Sequence, residues 1–252
     1  MSVVSSPAVL GVLAHDLRWS IVGLLVPGDL RTSEIVQRTG QAPNLVSYHL
    51  ARLREAGLVS ARRSAADGRD SYHALDLDAL GQAIAGAAEQ IHPGLLADHR
   101  AAWPQAPDRA QGSVQILFIC SGNSARSPMA AGWVNHLGGG LVTARSAGVT
   151  PAPLHPLAVA AMAEHDVDIS GHQATSVSAY AGGAFERVIT LCDRARENCG
   201  ELPGATAAVH WSIPNPAQAH PPDLDAFRAT ARELRKRIRF LLPVLQAGSA
   251  AG

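Results

Sequence analysis

The 252-residue sequence predicts two domains of different fold class, a mostly helical N-terminal domain with a β-hairpin and a C-terminal three-layer α/β domain with a central parallel sheet. Three observations predict this division. Residues 1–100 have mainly helical apolar spacing, residues 101–112 are rich in proline and polar residues, and residues 113–252 alternate strand-like and helix-like runs. We therefore expect a domain at 1–100, a linker at 101–112 and a second domain at 113–252.

The N-terminal helices are predicted from apolar periodicity and from their stop signals. Val9–Leu13 and Leu17–Val26 have helical spacing, and a Pro-Gly pair ends the second run. Thr32–Thr39 is a short helix that Gly40 ends, and Pro43–Ala56 is the next helix. This order predicts a helix-turn-helix.

A hairpin follows these helices. Leu58–Arg63 and Ser71–Leu77 read as strands around an Asp-Gly turn, and Asp78–Gln90 is a further helix. A helix-turn-helix followed by a hairpin is the winged-helix pattern, in which the second helix reads the major groove of DNA. The candidate DNA contacts are polar residues at the front of that helix and nearby arginines: Asn44, Ser47, Tyr48, His49, Arg52, Arg62, Arg63 and Arg69. A small helical domain with a solvated arginine face is the alternative.

Composition excludes several other classes. The 21 Lys and Arg residues balance the 21 Asp and Glu residues, so the whole chain has no basic character, and any DNA-binding face is local. No apolar run approaches the roughly 20 residues that span a bilayer, and no positively charged leader precedes the first apolar residues. The chain has only three cysteines, and an odd number cannot all pair with each other, so a secreted disulfide scaffold is excluded. We expect a cytoplasmic protein without a membrane segment.

The second domain is predicted from its strands. Val114–Cys120 is a continuous apolar run typical of a buried strand, and a helix follows at Met129–Leu137. Val142–Ser146 and Val188–Cys192 are further strands, and Leu224–Leu245 is a closing amphipathic helix. Strands that alternate with helices favour a parallel sheet.

The sequence Cys120-x5-Arg126-Ser127 joins the first of these strands to its helix. Successive backbone N–H groups of such a loop can surround a tetrahedral anion, Gly122 permits the turn, and Arg126 can bind two oxygens. Ser124 and Ser127 are expected to donate to a Cys120 thiolate. The candidate oxyanion-binding residues are Ser121, Gly122, Asn123, Ser124, Ala125 and Arg126. This pattern predicts a nucleophilic sulfur beneath a phosphate-shaped cradle, and a buried structural cysteine is the alternative.

The segment PNLVSYHLARLREAGLVSARRSAADGRDSYHAL resembles the ArsR/SmtB family of metalloregulatory repressors, over roughly residues 8–100. The resemblance implies a homodimer, formed through the N-terminal domain, that binds operator DNA and leaves it when an effector binds. Arsenic-sensing members carry cysteines on the helix before the recognition helix, whereas Gly28–Gln37 has none. A weaker candidate for the family's other metal site comprises Glu89, His92, Asp98 and His99.

The second half resembles the low-molecular-weight tyrosine-phosphatase superfamily, over roughly residues 113–246, and within it the thioredoxin-coupled arsenate reductases. The matching segments are ILFICSGNSARSPMAAGW, ARSAG, VDISGHQATS, VITLCDRARENCGELPG and HWSIPNPA. Such reductases carry two further cysteines separated by six residues, as Cys192 and Cys199 are. The resemblance implies a thiol relay in which Cys120 attacks arsenate, Cys192 attacks Cys120, and Cys199 attacks Cys192. An external dithiol, thioredoxin or similar, then reduces the last disulfide, and no tightly bound cofactor is required.

Two positions depart from the family pattern. Asn215 stands where the family has an aspartate as general acid, so phosphatase activity should be poor. Reductase turnover should also be slow unless solvent or Asp223 supplies the proton. Ala131 stands at the acidic position of a family potassium site, of which Asn123 and Ser146 remain, so we expect no metal there.

Together these features predict an arsenic-resistance fusion of a transcriptional repressor with an arsenate reductase. The predicted catalytic residues are Cys120, Arg126, Ser127, Cys192, Cys199 and Asn215. The alternative is a transcriptional regulator whose reductase-like domain senses an oxyanion or arsenite with little turnover. A tyrosine phosphatase with a DNA-binding arm is the more distant reading.

Overall fold

The computed structural model describes residues 7–92, 95, 114–198, 208–218 and 221–248, and the chain divides into two compact units, residues 1–105 and 106–252. The predicted linker, residues 101–112, lies outside the described residues. Within the described ranges, no helix combines the length and the apolar character that crossing a bilayer requires.

The first unit is a helical domain with a small antiparallel sheet. Its elements are α1 (Ala8–Leu13), α2 (Asp16–Leu25), β1 (Leu30–Arg31), α3 (Thr32–Thr39), α4 (Pro43–Glu55), β2 (Val59–Arg63), β3 (Ser71–Leu75) and α5 (Leu77–Ile91). The strand order is β1-β3-β2, and Val59 pairs with Leu75 while Arg63 pairs with Ser71. The sheet and helices enclose a core that contains Leu25, Ile35, Val46, Leu50 and Leu53.

Local sequence explains where the two helices of the helix-turn-helix begin and end. α3 ends at Gly40, whose φ of 65° lies in the left-handed region that glycine adopts readily. α4 begins at Pro43, where the ring pre-sets φ and the missing N–H has no helical partner to lose. Gly57, also left-handed, follows the last turn of α4. The predicted helix-turn-helix and hairpin are therefore present.

The second unit is an α/β domain. Its elements are β4 (Val114–Cys120), α6 (Arg126–Leu137), β5 (Val142–Gly148), α7 (Pro156–Ala163), a short 3₁₀ turn (Val177–Tyr180), β6 (Arg187–Thr190), α8 (Asp193–Asn198), β7 (Ala208–His210) and α9 (Leu224–Gly248). The four strands form one parallel sheet in the order β5-β4-β6-β7. The predicted fold class is confirmed for both units.

Packing around the central strand fixes the edge at which a site can form. Ile116–Ile119 of β4 are completely buried, and Phe118 pairs with Ser146 on one side and Ile189 on the other. The indole Nε1 of Trp133 donates to the Ala231 carbonyl (3.0 Å) and joins α6 to α9. Because all four strands are parallel, their carboxyl ends lie along one edge, where ligands of open α/β sheets bind.

Candidate functional site

The loop after β4 lies at this carboxyl edge. Cys120 ends the strand and is 2% exposed, and α6 begins only six residues later, at Arg126. Leu191 N–H donates to the Ile119 carbonyl (2.7 Å), which brings the chain after β6 alongside the start of the loop. The strand, loop and helix therefore hold the cysteine at a fixed point between two neighbouring strands.

The carbonyl oxygens of the loop are turned away from its interior. Four of them accept hydrogen bonds from the segment that follows β5. These contacts join Cys120 to Val149 (3.1 Å), Ser121 to Thr150 (2.9 Å), Gly122 to Ala152 (2.8 Å) and Ser124 to His155 (2.8 Å). Because the C=O and N–H of a trans peptide point in opposite directions, the N–H groups of the following residues face the other side. That side is an array of amide donors suited to a tetrahedral anion.

Two groups contact the Cys120 sulfur directly. The backbone N–H of Asn123 donates to Sγ (3.2 Å), and the Ser127 hydroxyl lies 3.0 Å from it. Within the described residues the Ser124 hydroxyl makes no hydrogen bond to this sulfur, so that predicted contact is wrong. The Ser127 hydroxyl has one hydrogen and also donates to the Ala147 carbonyl (3.2 Å), so the Asn123 N–H is the one fixed donor of the two.

Asn123 is the internal support of the loop. Its Nδ2 donates to Ser127 (3.0 Å) and Ser146 (2.9 Å), and its Oδ1 accepts from the Thr175 N–H (2.8 Å). Its φ is 51°, so the left-handed residue of the loop is Asn123 rather than Gly122 as expected from sequence. Asparagine tolerates this conformation better than most side chains do.

His172 completes the support from outside. Its Nε2 lies 3.1 Å from Asn123 Oδ1 and 3.2 Å from the Asn123 carbonyl, and both oxygens can only accept, so Nε2 carries the proton. Burial lowers the pKa of His172, and the hydrogen bond to the Asn123 backbone partly opposes that shift. Neither His172 nor Gly148 was identified from the sequence.

Gly148 allows the loop to pack against β5. A Cβ on this residue would lie 2.8 Å from the Asn123 nitrogen and from the Gly122 carbonyl carbon. Real Cβ atoms essentially never approach so closely, so only glycine fits. The feature of the sequence that could have identified Gly148 is its position at the end of the ARSAG segment.

Arg126 is 8% exposed and lies at the first turn of α6. Its Nη1 donates to the Ile213 carbonyl (3.0 Å) and lies 3.5 Å from the Leu191 carbonyl. Among the described residues no hydrogen bond occupies Nε or Nη2. The guanidinium is thus held by one nitrogen while two remain to bind an anion.

Cys192 is the second cysteine at this edge. It is 4% exposed, its Sγ lies 3.2 Å from the Ser121 hydroxyl, and the Ala195 N–H donates to it (3.4 Å). Cys120 and Cys192 are unpaired thiols in this structure. Cys199 lies outside the described residues. Two of the three predicted thiols are therefore brought to one loop.

Asn215 is exposed in the segment after β7, and its Oδ1 accepts weakly from the Ala217 N–H (3.4 Å). Ala131 is buried, and Asn123 and Ser146 hydrogen-bond to each other. In the part of the chain that the structure describes, no group of three or more His, Cys, Asp or Glu residues could hold a metal ion. Asp98 and His99, from the weaker metal candidate, fall outside the described residues.

The predicted DNA-contact residues lie mostly on an accessible surface of the first unit. On α4, Asn44, Ser47 and Tyr48 are exposed, and Tyr48 is 57% exposed. The wing turn between β2 and β3 is closed by the Ser64 hydroxyl, which accepts from the Ala66 (3.0 Å) and Asp67 (3.2 Å) N–H groups. Arg63 and Arg69 are exposed there, Arg62 is half-buried, and Arg52 is exposed and paired with Glu55 (2.7 Å).

His49 is the exception, and its assignment as a DNA contact is wrong for this conformation. It is 2% exposed, its ring lies against that of His15 with centroids 4.2 Å apart and the planes tilted by 45°, and Arg18 Nη1 lies 3.5 Å from its Nδ1. Burial, and then the neighbouring His15 and Arg18, lower the pKa of His49. The side chain faces the core, where it cannot reach a base edge.

Comparison with known proteins gives two family matches. Residues 115–250 match the low molecular weight phosphotyrosine protein phosphatases, and residues 15–61 match the bacterial regulatory proteins of the arsR family. Both family resemblances expected from the sequence are thereby confirmed.

Individual relatives align with about half of the chain. The chain is 38% identical over 124 residues to arsenate reductase 1 of Staphylococcus haemolyticus, an alignment that covers 49% of this chain and 91% of that protein. It is 35% identical over 127 residues to an arsenate reductase of Halalkalibacterium halodurans, with 49% and 91% covered. A solved arsenate reductase in its oxidized state is 27% identical, with a TM-score of 0.47, 52% of this chain and 98% of that chain being covered.

Proposed function

Since the chain belongs to the low molecular weight phosphotyrosine protein phosphatase family and joins an arsR-family helix-turn-helix to an arsenate reductase-like domain, we propose that it combines operator DNA binding with reduction of arsenate to arsenite. The observation that carries the enzymatic part is the second buried thiol at the oxyanion loop. The Cys192 sulfur lies 3.2 Å from the hydroxyl of Ser121, the residue that follows Cys120. A phosphatase reaction needs one nucleophilic sulfur. Reduction of arsenate needs a second thiol, which attacks the first sulfur and forms a disulfide with it.

In the proposed first step, arsenate occupies the amide cradle with two oxygens on Arg126. The Cys120 thiolate attacks arsenic, an S–As bond forms, and one arsenate oxygen leaves as water after protonation. Asn123 N–H and Ser127, which contact the sulfur, stabilise the thiolate before attack and the leaving thiolate later. Asn215 cannot supply the proton, so solvent or Asp223 must do so.

In the second step the Cys192 sulfur attacks the Cys120 sulfur. An S–S bond forms and the S–As bond breaks, and its electron pair stays on arsenic, which becomes As(III) and leaves as arsenite. Cys199 then attacks Cys192, which releases Cys120 as a thiolate and leaves a Cys192–Cys199 disulfide. An external dithiol such as thioredoxin reduces this disulfide, and a reducing cytoplasm suits the cycle. In sum, arsenate and two thiols give arsenite, a disulfide and water.

The DNA-binding part rests on the first unit. The exposed Asn44, Ser47 and Tyr48 on α4 suit contacts to base edges, and the wing arginines suit phosphate contacts. Large apolar side chains on α1 and α5 remain exposed, with Leu10 at 41%, Ile84 at 46% and Ile91 at 71%. Because these two helices pack against each other, their exposed apolar residues support a homodimer formed through this unit.

The test is a coupled assay with the purified chain, thioredoxin, thioredoxin reductase and NADPH. Arsenate should drive NADPH oxidation, Cys120→Ser should abolish it, and an aryl phosphate should be hydrolysed poorly. If arsenate does not raise the rate of NADPH oxidation by the wild-type chain above background, the proposed reductase activity is refuted.

A regulator that only senses an oxyanion is the second candidate, because Asn215 replaces the general acid and the cysteines all lie in the second half. It predicts that arsenate or arsenite releases operator DNA without NADPH-dependent turnover. Release that requires turnover, or no release at all, would contradict it.

A further inference from the structure

A buried polar network lies beside Cys192 and has no part in the chemistry above. Asp193, the first residue of α8, has a completely buried side chain. Its Oδ1 accepts from the Ser212 hydroxyl (2.7 Å) and lies 3.2 Å from Nε2 of His210. His210 is the last residue of β7, and its side chain is 1% exposed.

The other nitrogen of His210 reaches β6. Nδ1 lies 2.8 Å from the Thr190 hydroxyl and 3.1 Å from the Thr190 carbonyl. Thr190 precedes Cys192 by two residues, and Asp193 follows it directly. One imidazole therefore holds the chain on both sides of the second thiol.

The same network connects with the oxyanion loop. Ser212 precedes Ile213, whose carbonyl accepts from Arg126 Nη1 (3.0 Å), and Arg126 Nη1 also lies near the Leu191 carbonyl. The short segment His210–Ile213 therefore contacts the chain on both sides of Cys192, and it also contacts the anion-binding Arg126. Burying a carboxylate is costly unless it is fully hydrogen-bonded, and a chain segment held this way has few alternative positions.

We propose that Asp193 and His210 are positioning residues that keep the Cys192 sulfur within reach of Cys120, and this role rests on the proposed thiol relay. The role assigned to both side chains is to hold the chain around Cys192, not to bond with arsenic or with a sulfur. Their effect is on the geometry of the second step, in which Cys192 attacks the Cys120 sulfur. Small displacements of reacting groups slow such intramolecular steps strongly.

The test uses the full chain with Cys199→Ser, so that Cys120 and Cys192 are its only cysteines. Diamide, a thiol oxidant, takes two electrons and two protons from the pair, and an S–S bond forms while its N=N bond becomes a hydrazine. The rate of disulfide formation, followed by mass spectrometry, reports how readily the two sulfurs meet. It needs neither arsenate nor DNA, so it decides this proposal even if the wild-type chain reduces no arsenate.

Asp193→Ala should slow disulfide formation about ten- to a hundredfold, because the anchor after Cys192 is lost. Asp193→Asn should keep most of the rate, since its amide oxygen accepts from Ser212 and His210 as the carboxylate does. Glu186→Ala removes an exposed carboxylate from the same unit and should change nothing. Alkylation of Cys120 by iodoacetamide should remain unchanged in all three variants, because its own hydrogen bonds are intact.

His210→Gln is a second variant in case Asp193→Ala does not fold, and it should slow pairing because one anchor is lost. In the chain with Cys199, Asp193→Ala should lower kcat for arsenate and leave KM nearly unchanged. Pairing at the wild-type rate in both Asp193→Ala and His210→Gln would overturn the proposal. So would an equal loss of Cys120 alkylation and pairing, which would indicate general loosening of the site.

Discussion

Replacing Gly148 with alanine tests how closely the oxyanion loop must pack against the end of β5. The new Cβ would lie 2.8 Å from two backbone atoms of the loop and 2.9 Å from the Asn123 Cβ. Ordinary van der Waals contact begins at 3.4 Å, so the loop must move by about 0.6 Å in a close-packed interior. The Gly148 backbone is itself fixed, since its N–H donates to the Thr175 carbonyl (2.8 Å).

This displacement should weaken both anion binding and the chemical step. We expect kcat/KM for arsenate to fall about ten- to a hundredfold, which corresponds to about 1.4–2.7 kcal/mol of transition-state stabilisation. Overpacking should also lower the free energy of unfolding by about 1–3 kcal/mol. Gly171→Ala is the matched control, because nothing lies within 4 Å of its added Cβ.

The assays are steady-state arsenate reduction and protection of Cys120 from iodoacetamide by phosphate, with urea unfolding to separate stability from binding. A Gly148→Ala protein that binds phosphate and turns over like the Gly171→Ala control would refute the reasoning. It would show that the amide cradle tolerates movement, and the close packing against β5 would then have no functional consequence.

Three further predictions concern the acid, the relay and the DNA surface. Asn215→Asp should raise arsenate turnover by about tenfold or more, because a general acid becomes available; an unchanged rate would mean that the proton comes from elsewhere. Cys192→Ser should stop the cycle at the thiol–arsenate adduct, so quenched-flow analysis should find no arsenite released, and multiple turnover would exclude the relay. Arg63→Gln and Arg69→Gln should each weaken binding to any duplex equally and reduce the slope of log affinity against log salt by about 1. A loss confined to one DNA sequence would contradict a phosphate contact.

The site could be predicted from sequence where its parts are close together in the chain. Cys120, Arg126 and Ser127 lie within one strand–loop–helix segment, so a local pattern was sufficient. His172 and Gly148 support the same loop through contacts across 49 and 25 positions of sequence, which no local pattern encodes. β7, at three residues, is too short for a periodicity to identify it.

The burial of His49 could have been predicted from its position on the apolar stripe of α4. His49 shares one helical stripe with Val46, Leu50 and Leu53, all of which are buried, and a stripe of this kind indicates a core-facing side chain. Its polar character and its place near the front of α4 suggested a base contact instead. The burial of His49 follows from its position on the helix face and not from its residue type.

The central claim is that the loop after β4 holds a reactive sulfur beneath an anion-binding cradle. The most direct measurement is the rate at which iodoacetamide alkylates Cys120 in the full chain at neutral pH, located by peptide mapping, with and without inorganic phosphate. We predict alkylation faster than that of free cysteine and a rate that falls as phosphate fills the cradle. A sulfur no more reactive than free cysteine, with no response to phosphate, would contradict the account.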